Sequence, residues 1–166
     1  MAPSLWSAGM SELNGEATFS LEQIPSDTLT LWDNRIIAAD HHDTLFVWSG
    51  KGVMGPEYDE IRKQCKEFLL ERSKNRFPMP HFHTLAEGDS MSRRFTSRLA
   101  PSHADPEDHQ MVHFPALSGL SAAELTALRE KFRFYDEVSD NSFRRWFWSI
   151  ASASSNARDE GLSLCE

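Results

Sequence analysis

Cysteine is scarce in this chain: Cys65 and Cys165 are the only two, a hundred positions apart. Such a pair builds neither a disulfide framework nor a four-cysteine zinc site, and it fits a reducing, cytosolic setting. Long apolar runs are missing as well. No stretch approaches the roughly 20 apolar residues that span a bilayer. Met1 to Asn14 has neither the basic start nor the apolar run of a secretion signal, and Cys165, second from the end, is not placed for prenylation. Membrane contact is therefore expected only through partners. Basic charge is in deficit, with 17 Lys and Arg against 25 Asp and Glu and a formal net charge of -8. That balance argues against a broad phosphate-neutralising face, so no nucleic-acid partner is expected. Neither a Gly-x-Ser-x-Gly elbow nor a Walker loop occurs, and turnover by the chain itself is not expected.

What is present suffices for a core. Apolar residues make up 40% of the 166, and eleven Phe with five Trp supply bulk. The length suits one domain with loose ends. Residues 1–18 carry little periodicity and read as a disordered lead-in, with order beginning near Phe19. Thr28-Leu-Thr-Leu-Trp32 alternates as a strand would. Arg35-Ile-Ile-Ala-Ala39 and Thr44-Leu-Phe-Val-Trp48 are β-rich, and the polar Asp40-His-His-Asp43 between them predicts a hairpin.

After Gly55-Pro56, the residues Tyr58, Ile61, Cys65, Phe68 and Leu69 recur at helical spacing, predicting a helix to about Ser73. Acidic residues at its start and basic ones at its end complement the helix dipole. Arg76-Phe-Pro-Met-Pro80 then launches an extended segment, His81 to Leu85 alternates weakly, and Glu87-Gly88-Asp89-Ser90 is turn chemistry. The basic run from Arg93 to Arg98 reads as an exposed loop beside a strand, continuing to Gln110. Ser121-Ala-Ala-Glu124 is a capping box with Leu120 and Leu125 as its staple, predicting a helix through Leu128 and Phe132. A switch to a strand is expected near Arg133. A last helix should bury Phe143, Trp146, Phe147 and Ile150 on one face, and residues 153–166 read as a disordered tail. The order of elements implies an α+β architecture.

Seven histidines raise a metal-dependent enzyme as one possibility. His81-Phe-His83 would project both imidazoles to one side of a strand, and His41-His42-Asp43 offers a second cluster. A structural zinc site needs four ligands, which these spacings do not supply, so solvated surface histidines are the simpler expectation and no metal is expected. Arg93 and Arg94 stand beside a turn where long cationic side chains can project. Taken on composition alone they are a solvated basic strand edge, which guards against sheet-to-sheet association.

In its wider context the run says more. Arg76-Phe-Pro-Met-Pro80, then Gly88-Asp-Ser-Met-Ser-Arg93, then Ala100-Pro-Ser102 resemble, in register and without gaps, the final module of the Sec-twenty-three family of COPII coat subunits. Further matches are Arg35-Ile36, Asp40, Gly50 and Pro56-Glu57-Tyr58 upstream, and Asp136-Glu-Val-Ser139 with Phe143 downstream. The resemblance covers about residues 19–152 and implies a gelsolin-like domain, a mixed sheet flanked by helices. It implies a role in endoplasmic reticulum to Golgi transport, with the chain cytoplasmic and peripheral on endoplasmic reticulum membrane and COPII vesicles. It also implies a partner GTPase of the Sar type, into whose nucleotide site an arginine reaches in trans. The gapless match places that arginine at Arg93, and matching the neighbouring phenylalanine instead makes it Arg94. A planar, permanently charged guanidinium suits the charge that spreads over a transferring phosphoryl group. Arg98 matches a basic family position and is assigned no role.

The sequence departs from the family in an insertion at about 115–132 and in the tail after Ser152. The zinc finger, trunk domain, β-sandwich and most of the helical region that precede this module in the family are not in the 166 residues. No cofactor is therefore expected, and the companion cargo-binding subunit is expected to be met through those other domains. The gelsolin analogy also motivates a second expectation, a module that binds actin or a similar protein surface without promoting hydrolysis.

Overall fold

The computed structural model describes residues 2–13 and 16–131 of the chain. Its contacts divide the chain into two compact units, Met1–Ala100 and Pro101–Glu166. The first holds a mixed five-stranded sheet in the order β2-β1-β3-β4-β5, built from β1 (Ser4–Leu13), β2 (Glu16–Ile24), β3 (Ile36–His41), β4 (Thr44–Ser49) and β5 (His81–Ala86). Helix α1 (Asp59–Ser73) lies between β4 and β5 in sequence. Those two strands are parallel, a pairing that a tight turn cannot make and that needs a crossover of this length. The expected α+β class, a mixed sheet with flanking helices, is what the chain adopts.

Alternation decides which side chains meet α1. Ile36 and Ala38 on β3 and Leu45 and Val47 on β4 share one face of the sheet. The helix lays Ile61, Cys65 and Leu69 on that face, four residues apart, and all seven are buried in one cluster with Val53. Trp6 of β1 joins from the side, its ring edge-on to Phe68 at 5.1 Å, with the Arg72 guanidinium 4.8 Å from the Trp6 ring centre. Burial pushes the Cys65 thiol up to about 12, so it packs as an apolar group.

An ion pair ties the ends of this layer together. Arg76, just past the helix, gives Nη1 and Nη2 to the two oxygens of Asp40, both at 2.6 Å, a bidentate fork onto a carboxylate only 8% exposed. In the motif that contains it, Pro80 is buried while Phe77 and Met79 are exposed.

The hairpin expected over Asp40–Asp43 is present, a two-residue connection with His42 at φ 48°. At the other end of the hairpin, Gly50 donates its amide to the Arg35 carbonyl. A Cβ at Gly50 would sit 2.3 Å from the Asp33 carbonyl oxygen, so only glycine lets the two backbones approach there.

Two expectations are corrected. The described part of residues 1–18 is not a disordered lead-in: β1 pairs with β2 from Leu5↔Ile24 to Leu13↔Glu16 and, over its first half, with β3 from Ser4↔Asp40 to Ala8↔Ile36. Leu5 is fully buried and Trp6 packs on the core, which is enough apolar surface to hold a strand that looked too polar alone. The strand expected at Thr28–Trp32 is a 3-10 turn over Thr28–Thr30. Asp27 accepts the Leu29 amide at 2.9 Å and Thr30 gives its hydroxyl to the Asp27 carbonyl at 2.7 Å, local bonds that compete successfully with extended pairing. Leu29 and Leu31 are buried nonetheless.

The second unit, as far as it is described, contains α3 (Glu107–His113) and α4 (Ala122–Glu130). The capping box that predicts α4 is formed: Ser121 Oγ accepts the Glu124 amide and Glu124 accepts the Ser121 amide at 2.8 Å. Buried Gln110 organises the unit, donating Nε2 to the carbonyls of Ser102, His103 and Asp105 and accepting from Arg129 Nε at 2.7 Å. The insertion expected over 115–132 falls wholly in this unit, which begins earlier, at Pro101. The strand near Arg133, the last helix and the tail lie outside the described residues.

Two stability tests follow. Leu69→Ala removes a fully buried side chain from the helix–sheet cluster and should cost about 3 kcal/mol in urea unfolding. Asp40 is held below the usual carboxylate range, chiefly by hydrogen bonds from Arg76. The unfolded chain therefore takes up this proton first as pH falls, so the stabilisation is complete above the ordinary carboxylate range and lost as pH drops through the depressed value. Asp40→Asn should cost about 1–2 kcal/mol at neutral pH, because the Arg76 left behind is partly solvated, and lose less than the parent between neutral and strongly acid conditions. An equal acid slope in both proteins would show that the pair contributes nothing.

Candidate functional site

The turn chemistry after β5 folds as a short helical segment rather than an open loop. Gly88 takes φ +92°, Asp89 Oδ2 accepts the Ala86 amide at 2.8 Å, and Ser92 Oγ donates to the Ala86 carbonyl at 2.6 Å. A 3-10 turn over Ser90–Ser92 then runs into α2 (Arg93–Thr96). The end of this segment is pinned as well: the amide of Thr28 donates to the Ala100 carbonyl and that of Ala100 to the Ser26 carbonyl. The basic run expected to be an exposed loop or strand edge is thus a helical turn fastened at both ends.

Phe95 sets the orientation of that turn. Its side chain is fully buried, with its ring 5.4 Å from that of Phe46. Arg93 and Arg94, its two predecessors, are exposed. Arg94 and Arg98 lie one turn apart and line a cleft of about 220 Å³ with Thr44, Phe46, His81 and His83. Parallel register explains the grouping, because Thr44 pairs with His81 and Phe46 with His83, so all four side chains leave the sheet on the face opposite α1. His83 stacks on Phe46 at 5.7 Å.

Arg98 is the best-connected member, although its sequence context assigned it no role. Its guanidinium lies 5.4 Å from the Phe46 ring centre, with Nη1 at 3.2 Å from Asp43 Oδ1 and 2.6 Å from His41 Nδ1. His41 Nδ1 is also 3.2 Å from Asp43 Oδ1. One ring nitrogen cannot accept from Arg98 and donate to Asp43 at once: carrying a proton, Nδ1 donates to Asp43, and without one it accepts from Arg98. Asp43 is held down at about 2, first by the bond with His41, then by those with Thr44 and Arg98.

The histidine clusters read from sequence are separated by their surroundings. His81 and His83 do share a side of β5, as expected, but their cleft partners are arginines, which repel a cation. His41 and Asp43 contact Arg98, whereas His42 is exposed and does not line the cleft. Among the described residues no group of three or more His, Cys, Asp or Glu is placed to hold a metal ion, and no helix is long and apolar enough to cross a membrane.

No protein-family model matches the chain. Over 133 residues, 79% of its length, it is 29% identical to the protein transport protein SEC23 A of Arabidopsis thaliana, and the match takes in 15% of that protein. The chain is thus related in sequence to a SEC23 protein while spanning a small part of its length. Among solved structures it is similar to a chain in the Thorarchaeota 2DGel3/rabbit actin complex, with a TM-score of 0.43, 17% identity and coverage of 57% of this chain and 44% of that one. A chain in the Thorarchaeota ProGel/rabbit actin complex gives a TM-score of 0.40, 11% identity and coverage of 58% and 98%.

The local electrostatics are open to direct measurement. Carboxyl-detected NMR should show Asp43 titrating at about 2, and His41→Ala or Arg98→Ala should each move that midpoint up toward the ordinary value. An Asp43 midpoint unchanged in both variants would mean the carboxylate is held by something other than these two groups.

Proposed function

We propose that this chain acts as a terminal, gelsolin-type module of a SEC23-type COPII coat component in endoplasmic reticulum to Golgi transport, and that Arg93 is the arginine it supplies to a Sar-type small GTPase. The sequence relation to SEC23 A carries the transport reading. For the residue, the support is its position: Arg93 is exposed at the first position of α2, a segment anchored by buried Phe95 and fastened to β5 through Ser92. An arginine used in trans has to be held out from a rigid base, since disorder at the base would be lost as entropy on contact.

In this reading the chain activates a reaction without performing one. The guanidinium fork approaches the γ-phosphoryl oxygens and stabilises charge in the transition state, while water and metal belong to the GTPase. Arg94, the runner-up, lines the cleft with Arg98. The companion cargo-binding subunit and the membrane surface are met through the other domains of such a coat protein, and the module itself works in the cytoplasm, peripheral to the endoplasmic reticulum.

The test joins this chain to the preceding domains of SEC23 A, in place of that protein's own matching segment, and measures GTP hydrolysis by the Sar-type partner. Stimulation is expected, with a loss of roughly 10³-fold in Arg93→Ala and little recovery in Arg93→Lys. A chimera that folds and binds the GTPase without stimulating it would overturn the reading. A full effect from Arg94→Ala with none from Arg93→Ala would move the role by one residue.

A further inference from the structure

The cleft beside α2 gathers donors that nothing in the first unit uses. The side chains of Arg94, His81 and His83 make no hydrogen bond or ion pair with another described residue. Arg98 spends only Nη1 on its two partners, leaving Nη2 and Nε uncommitted. Its guanidinium is nevertheless held in place, 5.4 Å from the Phe46 ring centre and tethered by Asp43. Phe46 is buried, and forms an apolar floor.

We propose that this cleft binds the oxyanion of a phosphate monoester, carried on a phosphorylated side chain of a partner segment or on a small phosphate ester. Two guanidinium forks and two imidazoles converge on one small space, and a tetrahedral group with three terminal oxygens can accept from several such donors at once. A planar carboxylate offers two oxygens and is satisfied by a single fork. A cleft of about 220 Å³ admits a phosphoryl group and the carbon that bears it. A nucleic-acid strand is the wrong shape for it. Binding a strand needs successive phosphate contacts along a basic track, whereas this patch ends at Asp43 in a chain of net charge -8. Asp43 sets a limit of its own, since its charge opposes any anion that does not sit on the Arg94 side.

The inference does not rest on the arginine-finger reading, which is judged by GTP hydrolysis, whereas this one is judged by phosphate binding to the chain alone. The full chain is titrated with inorganic phosphate, O-phosphoserine, a phosphoserine peptide and the same peptide without phosphate, following the imidazole resonances of His81 and His83. Phosphate and phosphoserine should shift both rings, and Arg94→Ala should weaken binding by about tenfold, with Arg94→Lys intermediate. Arg94 is exposed and unpartnered, so its variants should keep the parent amide spectrum, and Lys63→Ala on α1 should bind as the parent does. A phosphopeptide that binds more tightly than free phosphoserine identifies a partner segment as the source, and equal affinities identify a small ester. Absence of any shift at His81 and His83 would overturn the proposal, as would binding undiminished in Arg94→Ala or an unphosphorylated peptide that binds equally well.

Discussion

The parallel pairing of β4 with β5 is the constraint on which the first unit depends. It cannot be closed by a short turn, so it requires α1 as a crossover, and the crossover brings the helix that covers one face of the sheet. On the other face the same pairing sets Thr44 beside His81 and Phe46 beside His83. Core and cleft are therefore two sides of one hydrogen-bonded ladder. Changing the residues on either face leaves the ladder intact, whereas disturbing the ladder moves both.

Phe95 plays the corresponding part for the basic segment. A helical turn of four residues has little stability of its own. Burial of one aromatic ring, two backbone bonds to the segment before Leu29, and the Ser92 hydroxyl on Ala86 hold it where it is. Arginines on such a turn differ from arginines on a solvated strand edge: their backbone is already placed before any partner arrives.

Much of the first unit could be read in the sequence because its signals were local. The Ile61, Cys65, Leu69 spacing, the paired β-rich runs around Asp40–Asp43 and the Ser121–Glu124 box each specify structure within a few residues, and each is formed. What was missed depends on distant partners. Ser4–Leu13 becomes a strand because β3 and β2 stand on either side of it, and neither partner is marked by any local spacing in the lead-in itself. At Thr28–Thr30 the alternation correctly marked Leu29 and Leu31 for burial but not their conformation, since Asp27 and Thr30 bond the backbone locally. Arg98 illustrates the limit for the site. Its partners His41 and Asp43 lie more than fifty positions away, and no spacing rule brings them together.

The fork from Arg76 to Asp40 has a consequence beyond the stability it contributes. It joins the residue just after the crossover helix to the penultimate residue of β3, and so measures out how much chain is left to reach the start of β5. In a strand, a slip of one residue exchanges the two faces. With such a slip His81 and His83 would turn toward α1, Phe82 would enter the cleft, and two arginines would face a hydrocarbon ring with no donor beside them. The length of the segment between Arg76 and His81 is thus a phase setting for the cleft, and a single inserted or deleted residue there would erase the site while leaving every side chain that forms it unchanged.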